Sequence, residues 1–397
     1  MKSKYLFAVF IYLPTLSYSA TLFGIDVLKK EKFKSLEGAN VALITNQTGA
    51  SKDGTSTVQL FQEAPKIKLK CFLVPEHGFK GDLEHGQAVS NSSDEKTHIP
   101  IYSLYGQTSR PTPEMLEGVD TIVFDIQDVG TRFYTYISTL GQALEEAAKK
   151  KIHFVVLDRP NPIRGDVREG DLLDPEIKRL TGYFRIPVRH GLTVGELAQW
   201  MNKTQKLGAY LTVIPMKKWK RSDWYDQTGY DFIPPSPNIR SLFEALLYSG
   251  IGCFEATNLS VGRGTSTPFE VIGAPWLEGK AFCGFLRQQK FPGVVFETIH
   301  FTPTEDLYKD ELCEGVRMTI TDRNAINPFH IFLAAFLYLN ENYAHIFKPD
   351  WEEIRVVTGS NKLKEAADSS LPYRDLAAQY QNVLESFTKE IKPFYLY

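Results

Sequence analysis

Between roughly Gly38 and Asp158, short apolar runs alternate with stretches of helical spacing, the pattern of parallel strands covered by helices. The runs at residues 40–45, 69–74, 121–126 and 153–157 predict strands. Ile137, Leu140, Ala143, Leu144 and Ala147 recur on one helical face and predict a helix over residues 136–151, with Lys149 to Lys151 where cations complement the helix dipole. After Gly182 the pattern changes. It predicts a helix over 194–206, a strand over 210–216, a Pro-rich loop over 233–238, strands near 315–321, and helices near 329–345 and 373–391. The fold class expected is therefore α/β: a Rossmann-like doubly wound sheet over residues 20–190, followed by an α+β unit over 191–397. Such sheets bind ligands at the carboxyl ends of their strands. Three polar clusters follow predicted strands and converge on that edge: one begins at Pro75-Glu76-His77-Gly78, one at Asp125 and one at Asp158.

Composition narrows the function classes. The chain has 397 residues, 26 Phe and 19 Tyr, enough apolar surface to build a large core and too much for a disordered chain. Residues 1–19 combine Lys2 and Lys4 with an apolar stretch and the small-x-small triplet Ser17-Tyr18-Ser19, which predicts a cleaved signal peptide and an exported, periplasmic or extracellular protein. Pro14 interrupts the stretch, so no stable membrane insertion is expected after cleavage. Removing Lys2 and Lys4, with no acidic residue lost, takes the formal charge from −2 to −4. That charge lacks the cationic field a nucleic-acid binder needs. Cys71, Cys253, Cys283 and Cys313 show no C-x-x-C spacing, and Cys71 within an apolar run reads as a buried free thiol.

Glycosidic bond cleavage usually requires one carboxylic acid to protonate the leaving oxygen and a second carboxylate as nucleophile or base. Glu76, at a strand end beside an irregular turn, is placed for the acid, although the pattern fits a structural ion pair equally well. Glu169, on a loop beyond the same sheet edge, is the candidate second carboxylate, with Asp128 as its rival. The run from Asp125 through Gln127, Asp128, Arg132 and Tyr134 supplies carboxylates, an amide, a guanidinium and a phenol, the groups a sugar pocket uses. His77, Arg159, Asn161, His190, Asn238, Glu255 and Asn258 join them as candidate substrate contacts. Arg263, between two glycines, suits a bidentate clamp on a carboxylate such as a lactyl group. Glu76-His77 and Glu84-His85 repeat a Glu-His-Gly triplet, but the spacing matches no metal motif, so no metal is expected. No G-x-G-x-x-G follows the first strand, so no nucleotide cofactor is expected either.

The motifs Pro75-Glu-His-Gly-Phe79, Phe124 to Tyr136, Leu157-Asp-Arg-Pro-Asn-Pro162, Arg189 to Leu197, Pro235-Ser-Pro-Asn238 and Phe254 to Glu270 occur in order along the chain. Together they resemble the exo-β-N-acetylmuramidases of the NamZ type, once a family of unknown function. The resemblance implies a smaller auxiliary domain behind the Rossmann-like one, an active site in the cleft between them, and release of N-acetylmuramic acid from the non-reducing ends of peptidoglycan fragments. Its partners would be peptidoglycan-derived muramyl saccharides. It carries the family's glutamates to Glu76 and Glu169. Gln87 and Val261 stand where the family tends to have Glu, and Ala256 where it has Gly. Two rival functions differ in their tests: a non-catalytic wall-binding protein would show no turnover to lose on Glu76→Gln, and a metal-dependent amidase or an esterase would leave the glycosidic bond intact.

Overall fold

A computed structural model describes residues 21–64 and 66–397; the expected leader lies outside the described residues. Seven strands build the main sheet: β1 (Asn40–Thr45), β2 (Lys68–Val74), β3 (Ser92–Ser93), β4 (Pro100–Ser103), β5 (Thr121–Asp125), β6 (His153–Leu157) and β7 (Leu211–Ile214). Their order is β3-β4-β2-β1-β5-β6-β7, parallel throughout except for β3 at one edge. The central strands are apolar on both faces because helices cover both. In β1 the side chains alternate: Val41 and Leu43 join the core beneath α1 (Gly24–Lys30) and α2 (Thr57–Glu63), whereas Ala42 and Ile44 join the core beneath α3 (Thr135–Lys150) and α4 (Val194–Thr204).

Local signals explain where these helices stop and start. Lys151 closes α3 in the left-handed conformation, and Lys149 and Lys150 sit in its last turn. Thr193 and Glu196 form a reciprocal capping box at the start of α4. The predicted second unit corresponds to α5 (Leu242–Ile251), α6 (Gly279–Gln288), α7 (Pro328–Asn342), α8 (Trp351–Thr358), α9 (Lys362–Asp368) and α10 (Tyr373–Ile391), with an antiparallel sheet of order β8-β10-β9. Those strands are β8 (Val271–Ala274), β9 (Val294–Phe301) and β10 (Cys313–Ile320).

The sheet corrects the expected change of unit near residue 190. Strand β7 pairs in parallel with β6, and α4 packs on both, so the Rossmann-like layer runs on past that point. The core under α3 and α4 is continuous with the core of α5 and α7, which seats the second unit directly against one face of the first. The four cysteines are buried and unpaired.

The chain leaves β1 toward β2 on one side and returns to β5 on the other, so β1 and β5 flank the point where strand order reverses. Ligand crevices of doubly wound sheets open there.

Candidate active site

A cavity of about 190 Å³ opens near the carboxyl ends of the sheet strands, and residues from both units line it. Glu76 and His77, from the turn after β2, face Glu255 and Arg263 from the second unit, with His85, Tyr134, Thr135 and Tyr248 completing the wall. Sequence reasoning had named Glu76, His77, Tyr134, Glu255 and Arg263. It missed Thr135 and Tyr248, and it had seen His85 only as half of a repeated triplet.

Glu76 is almost completely buried, yet it has ample donors. Its Oε2 accepts from the Thr135 hydroxyl at 2.7 Å, and its Oε1 accepts from the Gly86 backbone N–H at 3.1 Å. His85 Nδ1 lies 3.1 Å from the same Oε1. Thr135 is the first residue of α3, so the carboxylate also lies at the electropositive end of a long helix. The turn itself is tight: His77 and Gly78 adopt φ of 69° and 76°, and His77 Nδ1 contacts the Leu83 carbonyl at 2.7 Å.

These surroundings decide the charge of Glu76. Burial pushes the carboxyl up, but the His85 contact, the charges of His85 and His77 and the Thr135 hydroxyl outweigh it and hold it at about 2. Contact with Glu76 in turn pushes the His85 imidazole up, against burial and with help from the Glu255 charge. These surroundings favour an ionised Glu76 and strengthen the hold of His85 on a proton. Glu76, expected as the acid, is thus surrounded by groups that favour its anion. Tyr105 also approaches Glu76; burial and the Glu76 charge push its phenol up to about 12, which keeps it a hydrogen-bond donor.

Glu255 sits in the 3-10 turn Gly252–Ala256 that follows α5, and its Oε1 accepts from Arg263 Nε. Arg263 stands between Gly262 and Gly264, both left-handed, at φ of 79° and 75°. Side chains cannot replace those glycines: a Cβ at Gly262 would meet Val271 Cγ2 at 2.5 Å, and one at Gly264 would meet the Glu305 backbone nitrogen at 2.5 Å. The tight loop thus presents one cation to the cavity, and the two Nη groups make no hydrogen bond among the described residues. Tyr134 packs edge-on against both Tyr136, at 4.6 Å, and Tyr248, at 6.0 Å. Its buried hydroxyl has the Tyr136 hydroxyl as its neighbour, and burial pushes the phenol well up.

Other expected site residues are spent on the framework. Asp125 and Arg159 form a buried ion pair, Nε to Oδ1 at 2.6 Å and Nη2 to Oδ2 at 3.0 Å. Arg132 is fully buried and donates to the carbonyls of Asp171, Ile186, Val356 and Val357; the last two belong to the C-terminal turn of α8, so this guanidinium ties the second unit to the first. Gln127 donates to the Asp128 and Pro160 carbonyls, and Asn161 to the Leu192 carbonyl. Asn258 donates to the Ile346 carbonyl and accepts from the Lys348 N–H. His190 Nε2 contacts Asp128 Oδ2 at 3.2 Å, while Asp128 Oδ1 is buried without a partner among the described residues. Asn238 is buried between Ser236 and Ile239, two residues of the cavity wall.

Glu169, expected as the second carboxylate, stands apart from this cavity. Its Oε1 accepts from Arg189 Nη1 at 2.6 Å, both side chains are buried, and their backbones exchange hydrogen bonds at 3.1 and 3.0 Å. Two further carboxylates line the cavity with Glu76: Glu255, beside Arg263, and Glu353, which forms an ion pair with Arg179.

Two family models account for most of the chain. The N-terminal segment of exo-β-N-acetylmuramidase NamZ matches residues 41–243, and its C-terminal segment matches residues 246–397. The chain belongs to the NamZ family. The peptidoglycan β-N-acetylmuramidase NamZ of Bacillus subtilis (strain 168) is 40% identical over 375 residues, covering 94% of this chain and 91% of that protein. Two crystal structures of DUF1343 family proteins from Bacteroides fragilis NCTC 9343 share the fold. One superposes with a TM-score of 0.88 at 36% identity, covering 95% of this chain and 99% of that one; the other gives 0.79 at 29%, with coverage of 96% and 99%. The NamZ segments meet between residues 243 and 246, after β7, as the continuity of the large sheet requires.

Proposed function

We propose that this NamZ-family chain is an exo-acting glycoside hydrolase that releases N-acetylmuramic acid from the non-reducing ends of peptidoglycan fragments, in cell-wall turnover. One observation carries the site assignment: Glu76 and Glu255 line one small cavity between the two units, with Arg263 as a cation beside them. The cavity is on the scale of one sugar residue, which suits a chain terminus better than a polymer running through. Glu76 belongs to the acid side of the reaction and Glu255 is the opposing carboxylate. Arg263 offers its free Nη groups to the lactyl carboxylate that distinguishes muramic acid, and Tyr134 and Tyr248 supply aromatic faces for the ring.

Product analysis tests this reading. Incubation with a peptidoglycan fragment bearing muramic acid at its non-reducing end is expected to release free N-acetylmuramic acid as the first product, visible by mass spectrometry. Internal cleavage without free muramic acid, or release of peptide alone, would contradict it. Export follows from the leader pattern of residues 1–19; the intact mass of protein recovered from the envelope or medium is expected to lack those residues, and a full-length mass would refute export by cleavage.

A further inference from the structure

The hydrolase reading leaves a difficulty at its centre. A sugar is a poor leaving group, so the departing oxygen needs a proton as the bond breaks. Every polar neighbour of the Glu76 carboxylate donates to it: the Thr135 hydroxyl, the Gly86 N–H and His85. A carboxyl so surrounded is stabilised as the anion and has no proton to give.

The imidazole of His85 resolves this. Its Nδ1 is held at 3.1 Å by Glu76 Oε1, which leaves Nε2, across the ring, without a hydrogen-bond partner among the described residues. His85 lines the same cavity, and its side chain is half-exposed while Glu76 is buried behind it. A buried carboxylate that fixes one ring nitrogen and frees the other for proton transfer is the arrangement that makes histidine an acid or base in hydrolase triads. We infer that Glu76 and His85 act as a carboxylate–imidazole dyad in which His85 Nε2 donates the proton to the leaving oxygen and Glu76 orients the ring and stabilises its cation. This rests on the hydrolase reading.

The chemistry balances. As the C1–O bond breaks, its electron pair goes to the leaving oxygen, which takes the Nε2 proton. Glu255 supplies the opposing carboxylate, either bonding to C1 or activating water there. The water that completes hydrolysis gives its hydroxyl to C1 and its proton to the imidazole where Glu255 has bonded to C1, or to Glu255 where that carboxylate activates the water, after which exchange with solvent resets both groups. The charges around His85 fit the role: Glu76 and Glu255 favour the imidazolium, while Arg263 and burial oppose it, and the balance raises it above the ordinary histidine value. His77, on the same turn, is pushed down by burial and by the Arg263 and His85 cations, against the Glu76 charge, so it does not compete as the proton store.

The sign of the pH dependence follows. The protonated dyad is the active form, so activity falls as pH rises through the raised His85 value. It also falls in strong acid, as Glu76 takes a proton near 2.

Two substrates and one variant test the dyad. A muramyl disaccharide needs its leaving oxygen protonated, whereas 4-nitrophenyl β-N-acetylmuramide expels a nitrophenolate that leaves unprotonated. His85→Asn is expected to lower kcat/KM, which reports the bond-breaking step, on the disaccharide by about 10² or more, and on the aryl glycoside by less than about tenfold. The alkaline fall in kcat/KM should vanish with it. Equal losses on both substrates with the alkaline limb intact, or disaccharide turnover within about threefold of wild type, would overturn the dyad while leaving the hydrolase reading standing. Failure of the wild-type protein on both substrates would overturn the hydrolase reading and the dyad together.

Discussion

Glu76→Gln is expected to lower kcat on N-acetylmuramyl-N-acetylglucosamine by about 10²–10⁴, the usual contribution of a positioned acid or base. Glutamine keeps the shape of the side chain and still fills the buried space behind His85. It removes the negative charge that His85 Nδ1, the Thr135 hydroxyl and the Gly86 N–H converge on. The imidazole then loses both its orientation and the anion that favours its protonated form. Glu255→Gln is expected to cost a comparable factor for a different reason. It removes the carboxylate that must meet the positive charge developing at C1, and it frees Arg263 from its partner. Both losses should appear in kcat rather than in Tm, because each glutamine is nearly isosteric and the partners it leaves behind line a cavity that water can enter, unlike the buried Glu169–Arg189 pair.

Arg159→Leu has the largest expected effect on stability, a loss of about 3–5 kcal/mol, the usual cost of breaking a buried ion pair from one side. Asp125 and Arg159 are both excluded from solvent, and leucine would leave the Asp125 carboxylate with the Thr57 hydroxyl as its remaining side-chain donor. The Ala50 carbonyl would lose its Nη2 partner as well. The pair lies at the carboxyl ends of β5 and β6, so its loss should also loosen the floor behind the cavity. Denaturant titration measures the loss directly. Replacing Asp125 and Arg159 together by apolar residues of similar volume should restore much of it, since no charge is then left unpaired. An unchanged midpoint in Arg159→Leu would show that the pair is not structural.

Much of the fold was legible because its signals are periodic. Helix α10 occupies the residues its apolar spacing predicts, and β1 and β6 fall on the apolar runs that marked them. The unit boundary was not legible. Strand β7 is short and half-buried at the sheet edge, and the long passage between β6 and α4 has no period of its own, since Glu169 and Arg189 hold it in place by side-chain and backbone contacts. Strands β8 and β9 went unpredicted for a related reason. Four residues are too few to show a period in β8, and in β9 an exposed Val295 on the outward face and an exposed Thr298 on the face of Val294 and Phe296 blur the alternation.

The site was legible in its chemistry and less so in its assignments. A polar residue at a strand end can serve a ligand or the loop beside it, and the sequence alone carries the same letter for both. Arg132, Asn161 and Asn258 turned out to serve backbone carbonyls, and Asp125 and Arg159 serve each other. Thr135 and Tyr248 escaped notice because each lies within a helix among apolar neighbours, where a core role is the default expectation. His85 was visible as part of a Glu-His-Gly repeat. Its meaning came from the turn after β2, which folds the second triplet back so that its histidine meets the first triplet's glutamate.

The central claim is that the reacting carboxylates are Glu76 and Glu255, which line the cavity, that Glu353 on the same wall is taken up by its ion pair with Arg179, and that Glu169 is a framework residue paired with Arg189. The most direct measurement is kcat for muramic acid release from the disaccharide by Glu76→Gln, Glu255→Gln and Glu169→Gln, with Tm recorded for each. The structure predicts that the first two lose about 10²–10⁴ in kcat at near wild-type Tm. Glu169→Gln should instead show a lowered Tm with kcat per folded molecule preserved. A Glu169→Gln protein that folds like wild type but turns over no substrate, beside an active Glu255→Gln, would contradict the assignment.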